Sequence, residues 1–221
     1  MVDLVRTVAV VALGLGVGAT ALAEQQHPSA AEVVAALQAR YDSTASFRAA
    51  FRQEIEILAL GQKLDSRGTV YYRRPGRMRW EFETPEKQTV VADGRSIWMY
   101  QEAQRQVVKM ELASAFRTTT PLSFLVGLGK LRDDFDAAIE PGPSTDVVHL
   151  RLRPRAAGGD VGALQLELAA GTYDIVGAVV TDATGGKTRW RFSDLERNVA
   201  LEDTLFQFDI PQGVDVVVPP S

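Results

Sequence analysis

The sequence predicts a mainly β protein with one long antiparallel series of about eleven strands, folded into a strongly curved sheet or incomplete barrel. Three observations support this prediction. Apolar residues recur at every second position in most segments between Phe47 and Phe192, which is the period of a half-buried strand. Glycine and proline turn signals separate these segments. Helical spacing is confined to two stretches, 29–41 and 120–128.

The first of these helical stretches begins at Ser29. Ser29 is a good capping residue, and Glu32 stands three positions later, which is the pattern of a capping box. Val33, Val34, Leu37 and Tyr41 then recur at helical spacing. We expect this helix to be amphipathic, with its apolar side against the sheet.

Strands are predicted next, first a long one from Phe47 to Ala59 and then four around the stretch 70–100. Val70, Tyr72 and Arg74 fall on one face, and Pro75-Gly76 interrupts the pattern where a tight connection can form.

The strand that follows has the strictest alternation in the chain. From Arg77 to Glu83, Met78, Trp80 and Phe82 lie on one side and charged residues lie on the other. Downstream, Asp93-Gly94 between two apolar runs predicts a two-residue hairpin. A further strand is expected at 106–110.

The second helical stretch, Thr120 to Leu128, interrupts the series of strands. It starts with threonine and proline, which suit the capping and first helical positions, and it is apolar on most of its surface. Such a helix must be buried or must cover something apolar.

Alternation returns in the second half of the chain. Five more strands are predicted around apolar residues at 135–139, 148–152, 164–168, 175–179 and 188–192. Phe206 to Ile210 is expected to add a last short strand before Pro211.

Composition and the first residues indicate an exported protein. Residues 1–23 have the features of a cleaved secretory signal, with Arg6 near the start and an apolar run shorter than the ~20 residues of a spanning helix. Residues 24–221 are expected to form one domain. The net charge of −4 gives no indication of a nucleic-acid partner. The absence of cysteine excludes disulfides, thiolate metal sites and a lipidated N-terminal cysteine.

Residues suited to catalysis are scarce. The two histidines, His27 and His149, are too few for a histidine metal cluster, and the pattern offers no histidine-based triad. No serine lies in a G-x-S-x-G motif. The segment 185–188 resembles the end of a phosphate loop but joins two predicted strands, and the aspartates at 133–136 are interpreted as a solvated edge. We therefore expect a protein that is not an enzyme and that holds neither a metal nor another cofactor.

Two interpretations of the apolar faces stay open at this point, because alternation shows which face is buried and not what covers it. The faces could pack into a solid core, or they could bind an apolar guest. Arg74 favours the second interpretation slightly. A cation on the face of Val70 and Tyr72 needs either a specific acceptor or a position at the rim of the sheet.

Several segments, in order along the chain, form a recognisable pattern. They are 73–80, 91–94 leading to 97–100, the apolar stretch 121–126, and 206–208 followed by 211–214. Together they closely resemble the periplasmic outer-membrane lipoprotein carriers of the LolA family, over nearly the whole mature chain. The resemblance implies an unclosed antiparallel β-barrel with lid helices over an apolar concave face.

The resemblance also implies a function. Members of the family take a lipoprotein from an inner-membrane ATP-driven release complex, shield its acyl chains across the periplasm, and hand it to a receptor at the outer membrane. The expected partners are triacylated lipoproteins, that release complex, and an outer-membrane receptor or the membrane itself, with a monomeric carrier. The alternative is a periplasmic regulatory domain that senses lipids or lipoproteins, although such proteins usually carry a second domain.

Particular residues follow from the resemblance. Arg74 corresponds to an arginine beside a proline that bonds to the lid helices and holds the empty carrier shut. Met78 stands where relatives often have an aromatic residue. The expected acyl-chain pocket is lined by aromatic and aliphatic side chains: Phe51, Val70, Tyr72, Met78, Trp80, Phe82, Trp98, Leu122, Leu125 and Trp190.

Overall fold

A computed structural model describes residues 28–58, 61–112, 131–155 and 161–219. The expected signal peptide and the predicted helix at 120–128 lie outside these ranges. Within them, no helix is long and apolar enough to cross a membrane, and no group of three or more histidine, aspartate or glutamate side chains could hold a metal ion.

Twelve strands form the body of the protein, where the sequence predicts about eleven. Their bounds are β1 Ser46–Ile57, β2 Gln62–Arg73, β3 Arg77–Thr84, β4 Gln88–Asp93, β5 Ser96–Gln101, β6 Gln106–Glu111, β7 Phe135–Glu140, β8 Val147–Pro154, β9 Val161–Ala169, β10 Ile175–Asp182, β11 Lys187–Arg197 and β12 Asp215–Val217. They make one unclosed sheet in the order β12-β6-β5-β4-β3-β2-β1-β11-β10-β9-β8-β7.

The sheet consists of two antiparallel meanders that meet in the middle. Strands β1 to β6 form one and β7 to β11 form the other, and the long antiparallel pairing of β1 with β11 joins them. Strand β12 adds to the free edge of β6 as a parallel strand. The predicted mainly β, unclosed antiparallel architecture is therefore confirmed.

Three short helices accompany the sheet in the described ranges: α1 Ala30–Asp42, α2 Leu131–Asp134 and a 3₁₀ helix at Asp203–Phe206. The predicted start of α1 is confirmed. The Ser29 hydroxyl accepts a hydrogen bond from the backbone N–H of Glu32, and the Glu32 carboxylate accepts one from the backbone N–H of Ser29 at 2.7 Å.

The predicted strand at Phe206–Ile210 is wrong. This segment instead packs across the face of the sheet opposite α1. Phe206 is almost fully buried beside the guanidinium of Arg73, and Phe208 stacks on the Trp98 ring at 5.8 Å between centroids. The alternating aromatic pattern thus arises from side-chain packing, and the strand that does form, β12, comes later.

Most of the buried apolar residues in the described ranges form two clusters on the face of the sheet that carries α1, which we call the inner face. The leucine half comprises β7–β10 with α1 and α2, and its core is largely aliphatic: Val33, Val34, Leu37, Leu131, Phe135, Leu150, Leu152, Leu164, Leu166, Leu168 and Ala178. The aromatic half comprises β1–β5 and is built around Ala49, Phe51, Val70, Tyr72, Met78, Ala92 and Leu112. The α1 residues buried in the sheet, Val33, Val34 and Leu37, all belong to the leucine half.

Candidate functional site

Cross-strand pairing assembles the inner face of the aromatic half. Val70 lies opposite Trp80, Tyr72 opposite Met78, and Met78 opposite Ala92. Because directly opposed residues point to the same side of a sheet, these side chains form one continuous surface. The alternation in β2 and β3 therefore predicted the apolar face of both strands correctly.

Four aromatic rings form the centre of this surface. The Phe51 ring makes edge-to-face contacts with Trp80 at 4.7 Å and with Phe82 at 5.0 Å between centroids. Phe192 of β11 lies 6.2 Å from Trp80. Such offset and edge-on arrangements are the favoured geometries for aromatic pairs. Phe51 is almost fully buried, whereas Trp80, Phe82 and Phe192 are only half-buried, so part of the aromatic surface stays accessible.

Gly68 makes room for these rings. It lies opposite Phe51 on β1 and opposite Phe82 on β3. A Cβ atom at this position would stand 1.8 Å from the backbone oxygen of Glu81 and 3.1 Å from the Phe51 ring. Glycine is therefore required by close approach of the neighbouring strand and ring. Sequence reasoning missed this residue, although a glycine inside a strand pattern is a recognised signal of close approach.

The rim of the surface nearest α1 is polar. The Tyr72 side chain is fully buried, and its hydroxyl lies 2.6 Å from the hydroxyl of Tyr41 in the last turn of α1. The Tyr72 ring also stacks on Phe47 at 5.2 Å. Burial raises the pKa of Tyr41, and the hydrogen bond with Tyr72 raises it further. Tyr41 therefore stays neutral at any physiological pH.

Arg74 follows β2 directly and reaches the end of α1. Its guanidinium donates to the backbone oxygen of Asp42 at 3.2 Å and to the Asp42 carboxylate at 3.1 Å. The guanidinium carbon also lies 4.9 Å from the centre of the Tyr41 ring. This arrangement supplies the specific acceptors that a cation beside an apolar face requires, and it joins the β2–β3 turn to the last turn of the helix.

A second polar contact holds α1 on the opposite side. Arg40 forms a bidentate pair with Asp174, with both N···O distances at 2.8 Å, and Arg197 approaches the same carboxylate at 3.3 Å. The hydrogen bond from Arg40 is the main reason that the pKa of Asp174 lies below its usual range. The helix is thus attached to both halves of the sheet.

A cavity of about 80 Å³ lies beneath the end of α1, between the two halves. This is smaller than the ~150 Å³ apolar cavity that accommodates benzene in an engineered protein core. The cavity is closed on one side by Arg40 and Asp174, and its other walls are mainly apolar: Leu37, Tyr41, Phe47, Ala49, Tyr173, Ile175, Phe192 and Leu195. An acyl chain could enter here only if the helix end or the neighbouring strands moved apart.

Trp98 does not belong to the inner face, so its sequence-based assignment to the pocket is wrong. It pairs with Val91, whereas the inner-face residue Ala92 pairs with Ile97. Its indole N–H donates to the Asp93 carboxylate at 3.0 Å, and its ring packs against Phe208 on the other face. The residues of β5 are apolar on both sides, so alternation could not reveal which side faces inward.

The sequence also assigned Trp190, Leu122 and Leu125 to the pocket. Trp190 lies at the boundary of the two halves and packs against both clusters. Leu122 and Leu125 lie outside the described residues. Phe47 and Phe192 were not assigned to the pocket from the sequence, although both have the strand spacing that identified Phe51.

The fold and this surface define the class of half-open β-barrels with an apolar inner face. Residues 42–209 match the model of the family described as "Outer membrane lipoprotein carrier protein LolA". Because the match spans most of the chain, the protein belongs to the LolA family.

Curated relatives agree with the family match. An outer-membrane lipoprotein carrier protein of Dechloromonas aromatica is 33% identical over 79% of this chain and 82% of its own length. The protein of the same description from Chromohalobacter salexigens is 31% identical over 92% of this chain and 95% of its own length.

Solved structures of other proteins share the fold. An uncharacterised conserved protein of Thermus thermophilus superposes with a TM-score of 0.54 at 16% identity, covering 86% of this chain and 99% of that chain. A DUF1329 family protein of Desulfovibrio piger gives a TM-score of 0.50 at 15% identity, covering 82% of this chain and 98% of that chain. At these identities the likeness concerns the fold alone.

Proposed function

We propose that this protein carries outer-membrane lipoproteins across the periplasm, holding their acyl chains against the inner face of the aromatic half. The observation that carries the proposal is the half-buried ring cluster of Trp80, Phe82 and Phe192, which packs in the aromatic half, whereas the buried side chains of α1 all belong to the leucine half. The carrier descriptions of the curated relatives support the same role.

Acyl chains make such a carrier necessary. Three exposed chains contain roughly 45 methylene groups, and at ~0.8 kcal/mol each their exposure to water would cost on the order of 35 kcal/mol. A lipoprotein therefore cannot diffuse freely between two membranes. The carrier must offset much of this cost and still release its cargo, so a partly accessible aromatic surface suits the task better than a sealed core.

Arg74 acts as the latch in this proposal. Its bonds to Asp42 and its contact with Tyr41 hold the β2–β3 turn to α1, and the cavity of about 80 Å³ beneath the helix end is too small for a chain. Entry of an acyl chain beneath the helix end then requires these bonds to break. Because the Arg74 side chain is 36% exposed, water screens the pair and the closed state is favoured only modestly.

The proposed partners follow from this route. The carrier receives triacylated lipoproteins from an ATP-driven release complex in the inner membrane and delivers them to a receptor or directly to the outer membrane. We propose that it works as a monomer, because one copy contains the whole apolar surface.

The experiment that tests the carrier role is mass spectrometry of the protein purified from its own periplasm. A co-purifying triacylated lipoprotein is expected, and Phe82→Glu should abolish its recovery by placing a charge among the rings. Glu81→Gln, on the opposite face of the same strand, is the control and should retain the cargo. A free lipid or no bound lipid in the wild-type protein would contradict the proposal.

The latch role has its own test. Arg74→Leu is expected to fold and to bind lipoprotein, but to transfer it to acceptor membranes at least tenfold more slowly. Without Arg74 the empty, closed state is no longer favoured, so nothing drives the open, loaded carrier to release its cargo. Arg48→Leu removes an equal charge from the outer face and serves as the control. Normal transfer by Arg74→Leu would remove the latch role while leaving the carrier role intact.

A further inference from the structure

Three arginines stand side by side on the outer face of the sheet, opposite the aromatic surface. Arg52 of β1 lies directly opposite Arg67 of β2 and directly opposite Arg191 of β11. We call this set the arginine row. All three side chains are exposed, and directly opposed residues on adjacent strands have Cβ atoms only about 5 Å apart.

The arginine row has too few counter-charges. Arg52 bonds to the Asp65 carboxylate at 3.0 Å, and Arg67 donates to the neutral hydroxyl of Thr84. Among the residues that the structure describes, the Arg191 side chain has neither a hydrogen bond nor an ion pair. Three positive charges are therefore balanced by one carboxylate, and like charges opposite each other destabilise a sheet.

Neighbouring cations on the same face each contact a carboxylate. Arg189 pairs with Glu54 at 3.1 Å across β11 and β1, and Lys63 bonds to the same carboxylate at 3.2 Å. Arg48 faces Glu196 at 3.4 Å. Arg189, Lys63 and Arg48 thus each contact a carboxylate, whereas Arg67 and Arg191 of the arginine row have no ion pair in the part of the chain that the structure describes. The whole chain has a net charge of −4, so the positive charge at the arginine row is not part of a generally basic surface.

A groove of about 720 Å³ runs beside the arginine row. The next cross-strand set on this face consists of the small residues Ala50, Thr69 and Ser193, which leave space in front of the guanidinium groups. Asp65 and Glu83 are the acidic residues along the groove. A ligand can therefore approach the three guanidinium groups from one side.

We propose that the arginine row is a binding site for a phosphate-type oxyanion. Guanidinium groups bind phosphate through paired hydrogen bonds, and a group that carries more than one negative charge would compensate the surplus at this position. The ligand is either the phosphate of an anionic lipid headgroup or a free phosphate compound. The site lies on the face opposite the proposed acyl-chain surface, so the two could be occupied together.

Thermal unfolding tests the site with inorganic phosphate as the probe. At constant ionic strength, phosphate should raise the Tm of the wild-type protein more than chloride does. Arg191→Gln and Arg52→Gln should each weaken the apparent phosphate affinity on the order of tenfold, since each removes charge-assisted hydrogen bonds. Arg48→Gln, on the same face, should keep the wild-type response.

Vesicles distinguish the two sources of the ligand. Sedimentation compares vesicles that contain phosphatidylglycerol and phosphatidylcholine with vesicles of pure phosphatidylcholine. If the ligand is a headgroup, the wild-type protein should bind only the vesicles with phosphatidylglycerol, and Arg191→Gln should lose this binding. A phosphate response without vesicle binding identifies a free phosphate compound. The proposal is overturned if chloride and phosphate stabilise the wild type equally, or if Arg48→Gln loses the response as fully as Arg191→Gln.

Discussion

The two halves of the inner face contrast in composition and in what covers them. The leucine half packs five leucines of β8 and β9 against the buried side of α1. The aromatic half presents rings that contact one another at their edges, and three of the four central rings are only half-buried. The aliphatic side chains of the leucine half fill a buried core. The rings of Trp80, Phe82 and Phe192 instead keep part of their surface accessible to solvent. We therefore propose that the leucine half supplies stability and the aromatic half supplies the binding surface.

Both halves nevertheless belong to one sheet. The pairing of β1 with β11 brings Phe51 opposite Phe192, and Trp190 packs against both clusters. A rigid leucine half can therefore hold the aromatic half in position while the β2–β3 turn and the end of α1 separate. The predictions below test this division, beginning with the largest expected effect.

Leu166→Ala should have the largest effect on stability. Leu166 is 1% exposed in the leucine half, and removing a buried leucine side chain costs about 3 kcal/mol, because a cavity remains. Urea unfolding measures the change. Leu64→Ala, at a position 45% exposed, is the control and should stay within about 0.5 kcal/mol of wild type. A loss below about 1 kcal/mol for Leu166→Ala would contradict the assignment of stability to the leucine half.

Gly68→Ala should have the next largest effect, about 2 kcal/mol, because the new Cβ atom forces β3 and the Phe51 ring away. The backbone oxygen of Glu81 is the nearest obstacle and cannot turn aside. Lipoprotein binding should fall as well, since the rings lose their arrangement. Gly177→Ala is the matched control, because the atoms nearest its Cβ belong to the movable Glu167 side chain. Equal unfolding free energies for the two variants would show that the close approach at Gly68 is not required.

Asp174→Asn should produce a pH-dependent effect of about 1 kcal/mol, because it removes the bidentate pair with Arg40. The pKa of Asp174 is lowered in the folded state, so its contribution is complete above the ordinary aspartate pKa and is lost as the pH falls through the lowered value. The wild type should therefore be more stable than the variant near pH 6, and the two unfolding free energies should approach each other as the pH falls below the ordinary aspartate pKa and through the lowered one. Asp136→Asn, which removes an exposed pair with Arg155, provides the control. A difference that stays constant from neutral pH down to about pH 2 would contradict this origin.

Much of this architecture could be predicted from local patterns in the sequence. Alternation identified the apolar sides of β1 and β3, and the capping box identified the start of α1. The predicted hairpin between β4 and β5 forms, but its two-residue connection is Gly94-Arg95 instead of Asp93-Gly94, with Gly94 at a positive φ of 97°. Each of these features depends on residues that are close together in the sequence.

The features that sequence reasoning missed depend on distant contacts. Strand β12 pairs with residues 106–108, far earlier in the chain, and its three residues are too few to show an alternating pattern. Trp98 could not be assigned to a face because β5 is apolar on both sides. The restriction of buried α1 residues to the leucine half also follows from tertiary packing, since the amphipathic pattern of α1 indicates only that one side is buried.

The smallest effect is expected where the end of α1 meets the aromatic half, at the hydroxyl pair of Tyr41 and Tyr72. Tyr72→Phe or Tyr41→Phe alone should cost about 1 kcal/mol, because each leaves the opposite buried hydroxyl without this partner. The double variant should cost no more than either single change, since both polar groups are then gone and the ring shapes are kept. A double-mutant cycle from urea unfolding measures the coupling. Additive losses would show that the two hydroxyls act independently, and the polar attachment of the end of α1 to the aromatic half would then rest mainly on Arg74.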